Sequence, residues 1–435
     1  MLRFQQSDFT SQDGLSIFKN PIVPLGCEKR QWVEYRPSNP LTGDSPIQFT
    51  ISGSGNQYID LKHSILAVKA KILNSEGEDF EGDVWLKTTE GGVTTTTFND
   101  NHNAGPVNLW LHSLFNQVDL SFQQQSTDVA TMYAYRSYLE TLCYPYDKHL
   151  GETELFYKDV ANHMNSTTIV PANNIALADR ATRTMGNTEC DMEGTLRLDL
   201  FQQERYLLNK IDISLKFWHS KDSFRIMSNV GDCTVKITDA VLKMCKIDLN
   251  DRVFEHHENI IAHHNALYPY LKTEMKAVDV QKGRYALKLD DIFQNRVPAH
   301  LMFGFVETKS YNGDVTKNPY DFQHCNLSEI GVYVNNNPVP HRPFTTNFSS
   351  PVVNSSGPFR AMFEGNPELD LSHVEYDHGY TLFKYFLTDV NTSHEGNCSI
   401  QLKFAETLQK DMTMIIMAKF PAMMTISKDR QITIS

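Results

Sequence analysis

The chemically richest stretch of this 435-residue sequence runs from His256 and His257 through Glu258 to His263 and His264. Imidazoles are common ligands of divalent metals, and on a helix two His pairs seven residues apart share a face, so a metal clamp is the first chemistry to weigh. The spacing argues against it. A helical zinc hydrolase needs His at i and i+4 around a Glu, and a cupin-like site needs His on alternate strand positions; the sequence has neither here. A polar loop or a contact between subunits is the better reading.

Other familiar chemistry is missing from the sequence. It has no GxxxxGK[ST] phosphate loop and no GxSxG nucleophile elbow. Gly53-Ser-Gly55 leads into Tyr58 and Ile59, a strand pattern, and reads as a turn, not a dinucleotide fingerprint. Cys27, Cys143, Cys190, Cys233, Cys245, Cys325 and Cys398 form no CxxC pair; an odd, scattered set predicts reduced thiols in a chain made inside a cell. Cys143, in an apolar-aromatic setting, reads as a packed thiol. Glu76, Glu78, Asp79, Glu81 and Asp83 read as a solvated loop. The expectation is a non-enzyme with no catalytic, cofactor-binding or metal-binding residue.

The elements carrying these residues are strands. Leu66, Val68, Ala70 and Ile72 alternate with Ala67, Lys69 and Lys71; Ile211, Ile213, Leu215 and Phe217 alternate with Asp212, Ser214 and Lys216; Ile330, Val332 and Val334 continue the pattern. Turn-rich stretches at 74–77, 99–103 and 311–314 separate them, as in a sandwich or barrel. One short helix is expected at Tyr135–Leu142, with Tyr135, Tyr138, Leu139 and Leu142 on one side and Pro145 as its stop, and a second short helix or turn between Glu255 and Tyr268. Met412, Met414, Met417, Met423 and Met424 read mainly as core. Phe344, Phe348 and Phe359 fall in a long Pro/Ser-rich stretch, 338–379, expected to meet a neighbour or project outward.

Composition narrows the partners. With 40% hydrophobic and 21% charged residues the chain builds large cores, and a net charge of −12 repels phosphate unless a basic stripe overcomes it. Lys62–Lys71 alternates lysines with apolar residues, the wet face of a strand, so no direct sequence-specific nucleic-acid contact is expected. The N-terminus has no apolar signal segment, position 2 is not Gly, and the most apolar run, Met412–Ala418, falls far short of the ~20 residues of a membrane helix, so no membrane span is expected.

Three segments recur in one order. Val118-Asp-Leu-Ser-Phe122 matches Ile330-Gly-Val-Tyr-Val334; Tyr135-Arg-Ser-Tyr-Leu-Glu140 matches Phe359-Arg-Ala-Met-Phe-Glu364; Ile213-Ser-Leu-Lys-Phe217 matches Ile400-Gln-Leu-Lys-Phe404. The fold expected is all-β: an N-terminal arm (1–25), a first sandwich (26–220) and a second (221–435), joined near Ser220–Gly231, with short helices in loops.

The second half carries a resemblance as well. His263-His-Asn-Ala-Leu-Tyr-Pro-Tyr270, Val278–Val280, Arg296-Val-Pro-Ala-His-Leu-Met-Phe-Gly304, Tyr311–Tyr320, Asn326–Val334 with Pro338-Val-Pro340, Gly379-Tyr-Thr-Leu-Phe383, Asp389 and Ile400–Phe404 resemble the major capsid proteins of Maverick/Polinton elements and adintoviruses. The first half matches more loosely, through Gly53–Gly55, Tyr58–Leu61 and Asn108–Trp110. The resemblance implies two tandem eight-stranded jelly rolls and a homotrimer giving a pseudo-hexagonal capsomer. It also implies neighbouring capsomers, penton and minor capsid proteins as partners, and a place in the virion shell. The rivals are a tandem sandwich that binds carbohydrate, disfavoured by the dispersal of Trp32, Trp85, Trp110 and Trp218, and a minor capsid protein, disfavoured by the duplication.

Overall fold

The computed structural model describes residues 27–41, 45–90, 93–143, 150–349, 354–387 and 395–435. The expected arm, Pro145 and Asp389 lie outside the described residues. In the first half the main strands are β1 (Cys27–Tyr35), β2 (Ile47–Ile51), β3 (Tyr58–Leu73), β4 (Phe115–Phe122), β5 (Gln125–Ala130), β6 (Cys190–Thr195), β7 (Ile213–His219) and β8 (Thr234–Leu249). In the second they are β9 (Ala266–Val280), β10 (Ala286–Leu289), β11 (His300–Glu307), β12 (Leu327–Val334), β13 (Asn337–Thr345), β14 (Leu382–Phe386), β15 (Cys398–Phe404) and β16 (Met412–Ile426).

The first half forms sheets ordered β1-β8-β3-β6 and β2-β7-β4-β5; the second forms β9-β16-β11-β14 and β10-β15-β12-β13. Advancing every label of the first pair by eight gives the second pair. Each half therefore has the same antiparallel crossing pattern, first strand beside last and third between last and sixth, the connectivity of two interlocked Greek keys.

The recurrent sequence segments fall on equivalent elements. Val118–Phe122 lies in β4 and Ile330–Val334 in β12; Ile213–Phe217 lies in β7 and Ile400–Phe404 in β15; the third pair falls in the β5–β6 and β13–β14 connections. Val118 pairs with Phe217 in the first half, whereas Ile330 pairs with Leu402, the counterpart of Leu215, in the second. That slip is two residues, and an even slip keeps every inward side chain inward.

Alternation is translated directly into burial: Leu66, Val68, Ala70 and Ile72 are inside, as are Ile211, Ile213, Leu215 and Phe217. β16 departs from alternation, with Met412 to Phe420 buried at every position. Met414, Ile416, Ala418 and Phe420 fill the second sandwich, while Ile415 and Met417 join the core of the first. A strand covered on both faces reads as a continuous apolar run.

Three expectations are corrected. The junction does not lie near Ser220–Gly231, because β8 follows it and is a central strand of the first sandwich, paired with β1 and β3. The chain crosses over instead through helix α2 (Asp251–Ile261), which begins before the expected Glu255; Asn250 caps it by accepting from the Arg252 amide. Helix α1 (Tyr133–Cys143) is buried all round, Arg136 and Glu140 included, not on one side only. The 338–379 stretch contains most of β13 and helical turns at Ser356–Ala361 and His373–Asp377.

Candidate functional site

The most elaborate chemistry lies in the seam where the first sandwich meets the outward face of the β9-β16-β11-β14 sheet. Helix α1 sits in the β5–β6 connection and places Tyr138 flat against Tyr320 of the second half, ring centroids 4.0 Å apart and 6° from parallel. The Tyr320 hydroxyl donates to Ser113 Oγ at 2.6 Å, and Ser113 Oγ donates to the Asn108 carbonyl at 2.8 Å. Cys143 Sγ, the last residue of α1, lies 3.7 Å from Met302 Sδ. Burial pushes that thiol up to about 12, so it packs and does not react.

Beside the stack, the buried Asp159 carboxylate is a hub. It accepts from Arg180 Nη2 at 2.8 Å, Asn174 Nδ2 at 2.9 Å and, from the second half, Asn318 Nδ2 at 3.0 Å. The Tyr380 hydroxyl, also from the second half, donates to the Asp159 carbonyl at 2.7 Å. Arg180 also donates through Nε to the Pro106 carbonyl and through Nη1 to the Tyr157 carbonyl. A buried ion pair with its hydrogen bonds filled tolerates no loss of a partner, and this one ties the two halves in a fixed geometry.

A second charged group lies further along α1. Arg136 donates to Asp199 at 2.6 Å, and Asp199 also accepts from the Thr273 amide and hydroxyl in β9, both at 2.8 Å. Glu140 receives Lys419 of β16 at 3.0 Å and Gln202 at 2.7 Å. Burial alone would raise the Glu140 carboxyl; Lys419 and Arg136 outweigh it and hold the group at about 2. Asp128 in β5 goes the other way, pushed to about 6 by burial and by the nearby Asp199.

The residues singled out by sequence are not brought together. His256 and His257 lie exposed on α2, His263 and His264 exposed just after it, and His257 Nδ1 meets the Tyr58 hydroxyl at 3.2 Å. Among the described residues, no group of three or more His, Cys, Asp or Glu is arranged to hold a metal ion. Glu76, Glu78, Asp79, Glu81 and Asp83 are exposed. Gly53 is a close approach as well as a turn, since a Cβ there would come within 2.5 Å of the Ile211 backbone. Trp110 is buried, while Trp32, Trp85 and Trp218 are exposed on separate strands. Trp218 donates its indole N–H to Asp119 at 2.7 Å, which ties up the carboxylate a sugar would need. Phe359 packs into a ring cluster with Phe363, His373 and Tyr376.

One grouping that sequence spacing did not reveal resembles catalytic machinery. Ser355 Oγ lies 2.6 Å from His373 Nε2 and donates to Asp377 Oδ1 at 2.7 Å. The serine, not the imidazole, stands in the middle, so its single proton goes to the carboxylate and the imidazole cannot remove it. Asp159, Arg180 and Asn318 were also missed. Only Tyr320 and Asn318 carried a signal, inside the stretch that bears the family resemblance.

The structure superposes over its full length on solved viral shell proteins. A 3.5 Å structure of the Sputnik virophage matches with a TM-score of 0.65 at 10% identity, over 100% of this chain and 93% of that one. The mavirus major capsid protein matches with a TM-score of 0.56 at 9% identity, over 100% and 95%. The fold is the double jelly roll. The Faustovirus major capsid protein shares it, with a TM-score of 0.56 at 10% identity over 94% of this chain and 92% of that one. Among curated proteins, an uncharacterized protein of Caenorhabditis elegans is 21% identical over 421 residues, 92% of this chain and 96% of that protein. No protein-family model matches the chain. Among the described residues, no helix is long and apolar enough to cross a membrane.

Proposed function

We propose that this chain is the major capsid protein of a double-stranded DNA virus or virus-like mobile element of the Maverick/Polinton and adintovirus type. Three copies build a pseudo-hexagonal capsomer, and capsomers tile an icosahedral shell with penton and minor proteins at its special positions. The observation that carries the reading is the end-to-end match of both jelly rolls to major capsid proteins, the mavirus protein among them. The seam supports it: a shell subunit must keep its two sandwiches in one fixed relation, and a stacked, hydrogen-bonded interface does so. The nematode relative, matched over nearly its whole length, supports the mobile-element form. On this reading the chain catalyses nothing and resides in the virion.

The test is assembly. A 49.7 kDa chain should elute with a light-scattering mass near three times that value, about 149 kDa, and negative-stain images should show three-lobed particles with a six-sided base. A chain that stays monomeric across salt, pH and crowding conditions, with no arrays or shells, overturns it.

A further inference from the structure

We propose that the capsomer closes by repeating, between copies, the contact that the seam makes within one copy, with Arg360 and Glu364 docking on the face that carries Trp32, Glu193 and Lys243 of a second copy. This rests on the trimeric reading above and names the surfaces it uses. The seam is head-to-tail: the β5–β6 side of the first jelly roll packs on the outward face of the β9-β16-β11-β14 sheet. A head-to-tail contact used once leaves one unused half at each end, and repetition with rotation closes a ring. The unused halves are the β13–β14 side of the second jelly roll and the outward face of the β1-β8-β3-β6 sheet.

The internal repeat identifies the residues. Arg136, which donates to the Asp199 carboxylate that also accepts from the Thr273 hydroxyl, and Glu140, which pairs with Lys419, correspond to Arg360 and Glu364. Those two are exposed. On the receiving side, Lys419 of β16 pairs across to Thr273 of β9, and Lys243 of β8 pairs across to Glu34 of β1, the equivalent strand pair, with both lysines on the outward face. Lys243 is thus the outward lysine of β8 that answers Lys419 of β16. It lies 2.7 Å from Glu193, and both remain partly exposed. One positive and one negative group on the docking side therefore meet one of each on the receiving side. Trp32, 48% exposed two positions from Glu34 on the same face, supplies the large aromatic such interfaces use as an anchor.

The experiment uses the full chain and light-scattering mass. Glu364→Lys and Lys243→Glu should each lower the mass about threefold, to that of one chain, with the circular dichroism spectrum unchanged, and the double variant should recover the trimer. If either charge-reversed chain misfolds, Glu364→Gln and Lys243→Gln remove only the charge and should make the mass fall on dilution. A trimeric wild type whose four single variants stay trimeric overturns the assigned faces and leaves the capsid reading standing. Dissociation in the singles without recovery in the double overturns the Glu364–Lys243 pairing. A wild type that never forms a trimer overturns both.

Discussion

Replacing Tyr320 by Ala asks whether the two jelly rolls are one folding unit. Tyr320 is fully buried, stacked at 4.0 Å on Tyr138, and bonded through its hydroxyl to Ser113. Removing a buried aromatic ring costs about 3–5 kcal/mol, and the lost hydrogen bond about 1 kcal/mol more. Ser113 keeps its bond to the Asn108 carbonyl, so it is not orphaned, and about 4–6 kcal/mol is the expected total. At roughly 2.1 cal/mol/K of unfolding entropy per residue, 435 residues give about 0.9 kcal/mol/K, and the melting temperature should fall by about 5 °C. Tyr320→Phe keeps the stack and should fall by about 1 °C. Differential scanning calorimetry is the assay, with Phe303→Ala, inside the second jelly roll, as the comparison. If the seam belongs to a common core, Tyr320→Ala and Phe303→Ala lower the same single transition. Two separate wild-type transitions, neither shifted by more than about 1 °C in Tyr320→Ala, would refute the reasoning.

The seam should also respond to acid. Asp128, about 6 when folded against an ordinary 3.8, holds its proton more tightly in the native chain, so it adds stability at low pH that is lost as pH rises through 6. Two units correspond to about 3 kcal/mol between pH 4 and pH 7, and Asp128→Asn should remove that slope from urea-midpoint measurements; a wild-type minus variant difference that stays flat rejects it. His300, lowered to about 4 by burial and by Lys419 and Lys384, acts oppositely, losing stability as pH falls from 6.5 to 4, and His300→Gln should flatten that part of the curve. Gly194→Ala would drive a Cβ to 2.1 Å from the buried Glu154 carboxylate, which His112 and Arg197 hold in place; we expect a loss above about 3 kcal/mol in urea unfolding, and a loss below 1 kcal/mol would show that Glu154 can move. Cys143 and Cys398, both pushed up to about 12 by burial, should resist thiol reagents in the native chain and react in urea, read site by site by mass spectrometry.

Much of the architecture was legible because a sandwich writes its inside and outside into alternate residues. Leu66 to Ile72 and Ile211 to Phe217 announced their dry faces, and the recurrent segments announced the duplication. The junction was misplaced for a physical reason. β8 carries Lys236, Asp239 and Lys243 toward a face that is open in the single chain, and so looked less like a central strand than it is. The seam was harder still. Period-2 reasoning tells which face is dry but not what dries it, so Ile415 and Met417 gave no hint that a second jelly roll covers them. The nearly unbroken apolar run of β16 was the available signal, because only a doubly covered strand can dispense with a polar face. Asp159 and Arg180 had none, since a buried polar hub is assembled from distant residues that each look ordinary in their local sequence.

The two halves share a topology but not the chemistry of their outward sheets, and that difference separates permanent contacts from conditional ones. The outward face of β11 and β16 carries Met302, Val306, Ile415 and Met417, which join the core of the first jelly roll. The equivalent face of β1, β3 and β8 carries Trp32, Glu34, Lys69 and Lys243 among small apolar residues, and stays open to water in the single chain. A contact made once, during folding, gains most from apolar burial. A contact made later between finished subunits must be soluble beforehand, so it keeps charges at the rim and concentrates apolar area in a few anchors. With both faces apolar, newly made chains would associate before their own seams had formed. With both charged, Tyr138 and Tyr320 would have no dry surface to stack against, and the two jelly rolls would swing as separate bodies.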